Sequence, residues 1–143
     1  MHRVSGGCHC GNIVVELELT QPPASYRPRA CDCEFCRKHG AAYVSDPAGA
    51  LRIRVKDPGQ TGRYRQGSGT AELLLCRHCG VLVAPLYSHA GRLHAAVNAQ
   101  VIDIATHFGA SQPVSPRTLS AGEKVQRWQD LWFSNVSIDA PDA

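Results

Sequence analysis

Three short cysteine motifs decide the fold of this chain: GCHCG at residues 7–11, CDCEFC at residues 31–36 and CRHCG at residues 76–80. Together they contain all seven cysteines of the 143-residue sequence, so no cysteine is left for an unrelated role. Cysteines this close in sequence let one backbone turn present two sulfur atoms to the same metal ion. The motifs therefore predict metal binding.

Other uses of cysteine fit this pattern less well. Seven is an odd number, so a disulfide framework would leave one thiol unpaired, and a C-x-x-C redox motif belongs in a βαβ context that the sequence lacks. The chain begins without the apolar stretch of a signal peptide and has no apolar run long enough for a bilayer. We therefore expect a reducing cytoplasmic location, no membrane association, and cysteines that bind metal.

Seven thiolates divide most simply into a set of four and a set of three. Four thiolates close a tetrahedral zinc site, whereas three leave one position open, as in catalytic or ligand-binding zinc sites. The two glycine-flanked pairs resemble the halves of a zinc ribbon, and the local triplet can wrap one ion by itself. Spacing alone leaves open which pairs share an ion. The sequence predicts two Zn²⁺ per chain.

The net charge of the protein indicates whether a nucleic acid is an expected partner. The formal charge is +3 with every cysteine neutral. Metal ligands are deprotonated, so two divalent ions add four charges, seven thiolates remove seven, and the net charge falls to zero. A neutral protein lacks the electrostatic attraction of a general phosphate-backbone binder. We expect no nucleic-acid partner.

Hydrophobic patterning predicts a single, mainly β domain over residues 1–143. Short alternating runs indicate strands at residues 13–19, 41–45, 51–55, 63–65, 70–75, 81–84 and 92–97. Residues 30–40 show neither a helical nor a strand period of apolar residues and are predicted to have irregular structure. A capping-box spacing at Ser120 and Glu123 precedes apolar residues at helical intervals and predicts one helix, although Trp132 could equally begin a strand. Trp128 and Trp132 are interpreted as core residues.

Charged residues around the middle motif have two interpretations each. Arg37 and Lys38 either balance the thiolates at the surface or bind the carboxylates of an anionic thiol substrate. Asp32 and Glu34 either face water or act as acid–base groups. His39 is the histidine best placed for a role near the three-cysteine set.

In this order the three motifs resemble the glutathione-dependent formaldehyde-activating enzyme family, which includes the centromere protein V domain. The resemblance runs from about Gly6 to Val97. It implies a β-tent fold, which is a mainly β arrangement of small zinc-stabilised antiparallel sheets with few short helices. It also implies a structural zinc held by Cys8, Cys10, Cys76 and Cys79, and a second, open zinc site held by Cys31, Cys33 and Cys36.

The same resemblance implies a carbon–sulfur lyase reaction that joins glutathione and formaldehyde reversibly into S-hydroxymethylglutathione. The expected partners are then a small thiol such as glutathione and an aldehyde. Three interpretations stay open. The chain is a zinc enzyme for small thiol adducts, or a non-catalytic zinc scaffold or thiol-binding module, or a protein whose middle triplet binds nothing.

Overall fold

The computed structural model describes residues 1–141 and shows a mainly β fold of small sheets, in agreement with the sequence prediction. Its two α-helices are α1, Glu34–His39, and α2, Ala121–Leu131. Its strands are β1 His2–Gly7, β2 Ile13–Leu19, β3 Arg29–Cys31, β4 Ala42–Val44, β5 Ala50–Val55, β6 Thr61–Tyr64, β7 Glu72–Cys76, β8 Leu82–His89, β9 Arg92–Ala95, β10 Val97–Asn98, β11 Gln112–Val114 and β12 Val136–Asp139.

The strands form three four-stranded sheets within residues 1–141, ordered β1-β2-β5-β12, β10-β4-β3-β11 and β6-β7-β8-β9. Most neighbours pair antiparallel, as predicted. Two pairings are parallel: β12 lies beside β5, and β11 lies beside β3. These edge strands come from late in the chain, so sequence alternation alone could not reveal their direction.

Strand β2 shows why the first sheet forms. Val15, Leu17 and Leu19 are fully buried, whereas Glu16 and Glu18 between them are partly exposed. Successive side chains of a strand point to opposite faces, so this alternation buries one face and leaves the other in water. The apolar face packs into the larger of two core clusters, which also includes residues from the other two sheets.

Helix α2 confirms the capping-box prediction. The Ser120 hydroxyl accepts from the Glu123 N–H at 3.1 Å, and the Glu123 carboxylate accepts from the Ser120 N–H at 2.9 Å. These reciprocal bonds satisfy two donors that a helix start leaves free. No helix within residues 1–141 has the length and apolarity needed to cross a membrane.

Helix α1 was not predicted, because residues 30–40 were expected to be irregular. It is only six residues long, and just one of its residues, Cys36, is buried. Its C-terminal end carries the usual signal, Gly40 with a φ of 61°, whereas its N-cap is Cys33, whose sulfur accepts from the Cys36 N–H. A helix this short has too few turns to show an apolar period.

The second core cluster lies between α2 and the sheets. Trp128 and Trp132 are both buried and stack with ring centroids 5.0 Å apart. Tyr43, Leu73 and Cys36 belong to the same cluster. The tryptophans are core residues, as interpreted from the sequence. They belong to the same apolar cluster as Cys36, and Cys31 and Cys33 pack against that cluster.

Candidate functional site: two cysteine clusters and a cationic cavity

The first cysteine cluster joins two sheets. Cys8 and Cys10 lie in the turn between β1 and β2, Cys76 ends β7, and Cys79 lies in the turn before β8. Their four sulfur atoms lie within 4.8 Å of one another, so the cluster could hold a metal ion. Neighbouring sulfurs are 3.7 Å apart for Cys8 and Cys10, and 3.6 Å apart for Cys10 and Cys76.

These distances fit a tetrahedral thiolate site. Zinc–thiolate bonds of about 2.3 Å separate the sulfurs of a tetrahedron by roughly 3.8 Å. The two turns also share a hydrogen-bond pattern. The Cys8 N–H donates to the Ile13 carbonyl and the Cys76 N–H donates to the Val81 carbonyl, at 2.9 Å and 3.0 Å. Gly11 and Gly80 follow the two pairs with φ of 83° and 80°, a left-handed conformation that glycine adopts without strain.

The second cluster is built by one short segment. Cys31 ends β3, Cys33 caps α1, and Cys36 lies in its first turns. The three sulfur atoms lie within 4.8 Å of one another and could also hold a metal ion. The Cys36 N–H donates to Cys33 Sγ at 3.4 Å, so the helix start helps to orient this sulfur.

The Cys31 and Cys36 thiols of this cluster ionise unequally. A hydrogen bond from Cys36 is the largest effect on Cys31 and lowers the pKa of its thiol to about 6. The same hydrogen bond, together with burial, raises the pKa of the Cys36 thiol. Cys31 is therefore the first of the two to become a thiolate, which is the form that binds a metal ion.

Tyr43 on β4 is a site residue that the sequence analysis missed. Its hydroxyl lies 3.1 Å from Cys36 Sγ. Burial is the largest of several causes that raise the pKa of this phenol, so Tyr43 stays protonated at neutral pH. A protonated phenol donates to a thiolate, and such donors orient metal ligands. Because Tyr43 lies seven residues beyond Cys36 on another element, spacing gave no signal for it.

The second cluster opens onto a cavity of about 250 Å³. All three of its cysteines line this cavity, together with Tyr43, Trp128 and Trp132. Four cationic residues also line it: Arg29, Arg117, Lys124 and Arg127. No Asp, Glu or His of the described chain is among the lining residues. The result is a cavity lined by thiols, aromatic rings and cationic side chains.

Among these cations, Arg29 lies on β3, the strand that ends at Cys31. One guanidinium nitrogen donates to Ser45 Oγ at 2.6 Å, and Ser45 Oγ donates to the Leu131 carbonyl at 2.7 Å. Burial, followed by repulsion from Arg127, lowers the pKa of Arg29 to about 10. The guanidinium therefore keeps its charge at neutral pH.

Helix α2 supplies two of the other cations. Lys124, Arg127 and Trp128 are spaced three and four residues apart, so they share one face of the helix. Lys124 reaches the turn opposite, since a Cβ on Gly67 would lie 3.6 Å from its Nζ. Gln66 on the same turn has Nε2 3.8 Å from Cys33 Sγ. This turn and the helix face thus flank the cysteine cluster.

The predicted charged residues lie elsewhere. Arg37 and Lys38 are exposed on α1 and do not line the cavity, and Lys38 Nζ lies 3.2 Å from the Glu34 carboxylate. Asp32 is held by Ser115 and Arg117, at 2.5 Å and 3.1 Å. The His39 ring packs on Phe35, with centroids 4.6 Å apart. The structure brings the cysteines together as predicted, but brings a different set of cations to them.

Comparison with known proteins agrees with this architecture. A solved structure of a Rhodobacter sphaeroides protein has a TM-score of 0.54 and 29% identity to this chain, covering 71% of this chain and 90% of that one. No curated protein matches the chain. The family described as glutathione-dependent formaldehyde-activating enzyme matches residues 3–117, which include all three cysteine motifs. The chain belongs to the glutathione-dependent formaldehyde-activating enzyme family.

Proposed function

We propose that this protein is a zinc-dependent enzyme of the carbon–sulfur lyase type that acts on small thiol adducts, resembling S-(hydroxymethyl)glutathione synthase. One observation carries the proposal. The three-cysteine cluster forms part of a cavity wall, whereas none of the four sulfurs of the other cluster lines it. A ligand can therefore approach the cluster that has too few thiolates to close a tetrahedral site.

In this proposal each cluster holds one zinc ion. Cys8, Cys10, Cys76 and Cys79 hold a structural ion, and Cys31, Cys33 and Cys36 hold the second. Zinc bound by three thiolates supplies an open coordination position and lowers the pKa of a thiol that occupies it. Metal binding needs reduced cysteines, and all seven are free, so a reducing cytoplasmic location is part of the proposal.

The reaction joins a thiol and an aldehyde. The thiol sulfur forms a bond to the carbonyl carbon, the π electrons pass to the carbonyl oxygen, and that oxygen takes up the proton that the thiol releases. The reverse reaction breaks the same carbon–sulfur bond. The cavity of about 250 Å³ is smaller than pockets that enclose drug-sized ligands, so it suits the reacting end of glutathione and formaldehyde.

The remaining substrate atoms would lie towards the rim. Arg37 and Lys38 stay predicted contacts for carboxylates of this outer part, because both are exposed on the helix that carries Cys33 and Cys36. Trp128 and Trp132 supply an apolar wall that excludes water from the reacting atoms.

Exchange NMR between free formaldehyde and its glutathione adduct tests the proposed activity. Zinc-loaded protein should accelerate the exchange above the rate without protein, and Cys33→Ser should return it to that rate. Cys33→Ser is suitable because Cys33 lies outside the four-cysteine cluster. Wild-type protein that carries two zinc ions and leaves the exchange rate unchanged would contradict the enzymatic proposal.

A thiol-binding module is the second candidate function. The observation that favours it is the absence of Asp, Glu and His from the cavity lining within residues 1–141, which leaves no carboxylate or imidazole there to act as a general base. Cobalt-substituted protein distinguishes the two functions. A thiolate-to-cobalt absorption band that changes with glutathione, without faster exchange, indicates binding alone.

A further inference from the structure

Most of the cations that line the cavity next to the three-cysteine cluster have no carboxylate partner in the described part of the chain. Of its four cations, Arg117 alone forms an ion pair within residues 1–141, with Asp32 at 3.1 Å. Arg29, Lys124 and Arg127 have no carboxylate at ion-pair distance in that part of the chain. Charges taken out of water are unfavourable unless a partner of opposite sign accompanies them.

Arg29 and Arg127 concentrate this charge at one place. Both are partly buried and both line the cavity. Arg29 is fixed by its 2.6 Å hydrogen bond to Ser45, which uses one of five guanidinium N–H donors. Two neighbouring guanidinium groups repel each other, and an anion bound between them would remove that repulsion. Their planar forks match a carboxylate in particular.

The position of Arg29 relative to the sulfurs limits the size of the ligand. Arg29 and Cys31 are two residues apart on β3, so their side chains share a face. Their Cα atoms are then about 7 Å apart, from a rise of about 3.3 Å per residue. An anion on Arg29 would thus lie within a few bonds of a sulfur atom at the cysteine cluster.

We propose that Arg29 and Arg127 form a carboxylate-binding subsite, which makes this protein selective for small thiols that carry a carboxylate a few bonds from sulfur. The inference rests on the proposed function, because it takes the thiol sulfur to bind at the three-cysteine cluster. It assigns substrate specificity to Arg29 on β3 and Arg127 on α2. The sequence analysis considered Arg37 and Lys38 for this role, and both lie on α1.

Two matched ligands test this subsite. 3-Mercaptopropionate and its methyl ester have the same thiol and chain length, but the ester is neutral. The two tryptophans of the chain both line the cavity, so quenching of intrinsic fluorescence reports binding to the zinc-loaded protein. We expect the acid to bind the wild type about 10- to 100-fold more tightly than the ester, the range for a charge-assisted bond.

Variants locate the preference. Arg29→Gln and Arg127→Gln should each bring acid and ester affinities close together while ester affinity stays unchanged. Arg54→Gln is the matched control, because Arg54 is exposed on β5 and does not line the cavity. Arg127 lies on a different element, α2, so Arg127→Gln still tests the inference if Arg29→Gln does not fold. Circular dichroism checks the folding of both variants.

Three results would overturn the inference. Equal affinity of acid and ester for the wild type excludes a carboxylate subsite while leaving thiol binding intact. Loss of the preference in Arg37→Gln, with the preference kept in Arg29→Gln, assigns the carboxylate to α1 instead. Binding of neither thiol rejects the proposed function together with the subsite.

Discussion

Tyr43 shows how one side chain can support the three-cysteine cluster without being a ligand. Its hydroxyl is 3.1 Å from Cys36 Sγ, and its pKa is raised, so it is a donor throughout the neutral range. A hydrogen bond to a metal-bound thiolate fixes the sulfur and offsets part of its charge.

Tyr43→Phe should therefore weaken the second metal site and leave the fold intact. We expect zinc affinity at the three-cysteine cluster to fall by about 10- to 100-fold, the usual effect of removing a group that orients a ligand. Competition with a coloured chelator measures this affinity.

Tyr64→Phe is the control for this substitution. Tyr64 is exposed and stacks on Phe35 with centroids 5.1 Å apart, and a phenylalanine ring keeps that contact. Equal zinc affinity in Tyr43→Phe and the wild type would show that the hydroxyl does not support the site.

At the scale of elements, α2 holds one wall of the cavity in place. The capping box at Ser120 and Glu123 fixes the helix start, and Lys124 and Arg127 lie within the first two turns, so the helix start controls where these cations lie. Trp128 and Trp132 then anchor the helix in the core.

Ser120→Ala should destabilise the protein by about 1 kcal/mol, because it removes the hydroxyl that accepts from Glu123 N–H. Urea unfolding followed by circular dichroism measures the difference. Ser137→Ala serves as the comparison, since Ser137 is exposed on β12 and should change stability by less than about 0.5 kcal/mol. Equal stability of Ser120→Ala and the wild type would mean that the cap does not hold the helix.

The two helices also show what a sequence can reveal about elements. Helix α2 was predictable because its cap and its apolar spacing are both local signals. Helix α1 was missed because six residues make fewer than two turns and its side chains serve the cysteine cluster more than a core face. The three-residue strands β3 and β11 were missed for a related reason, since their parallel pairing joins residues far apart in sequence.

At the scale of the whole molecule, spacing predicted the three-cysteine set, the family resemblance implied the four-cysteine set, and neither predicted the cavity. Close spacing on a turn brings Cys31, Cys33 and Cys36 together whatever the rest of the chain does. Arg29, Lys124 and Arg127 line one cavity only because α2 packs against β8 and β9, where the rings of Trp128 and Tyr87 lie 5.3 Å apart, and no local pattern records that contact. Arg29 did carry one signal: it lies two residues before Cys31, which on a strand means the same face.

In the proposed function each cluster holds one metal ion, and loss of that ion should affect the molecule differently at the two clusters. The four-cysteine cluster connects the β1–β2 turn to the β7–β8 turn, so it joins two sheets through cysteines as far apart in sequence as Cys10 and Cys76, which are 66 residues apart. The three-cysteine cluster closes only a short segment. Because the free energy of metal binding adds to that of folding, the first ion should stabilise the whole domain and the second only its surroundings.

We therefore expect Cys33→Ser to retain the native circular dichroism spectrum with about one zinc per chain, against about two for the wild type. Cys79→Ser should lose the cooperative unfolding transition, because it removes one ligand of the four that join the sheets. Elemental analysis of each purified protein gives the metal content, and thermal unfolding gives the stability. A Cys79→Ser protein that melts like the wild type would show that apolar packing between the sheets suffices, and the metal at the four-cysteine cluster would then have no structural role.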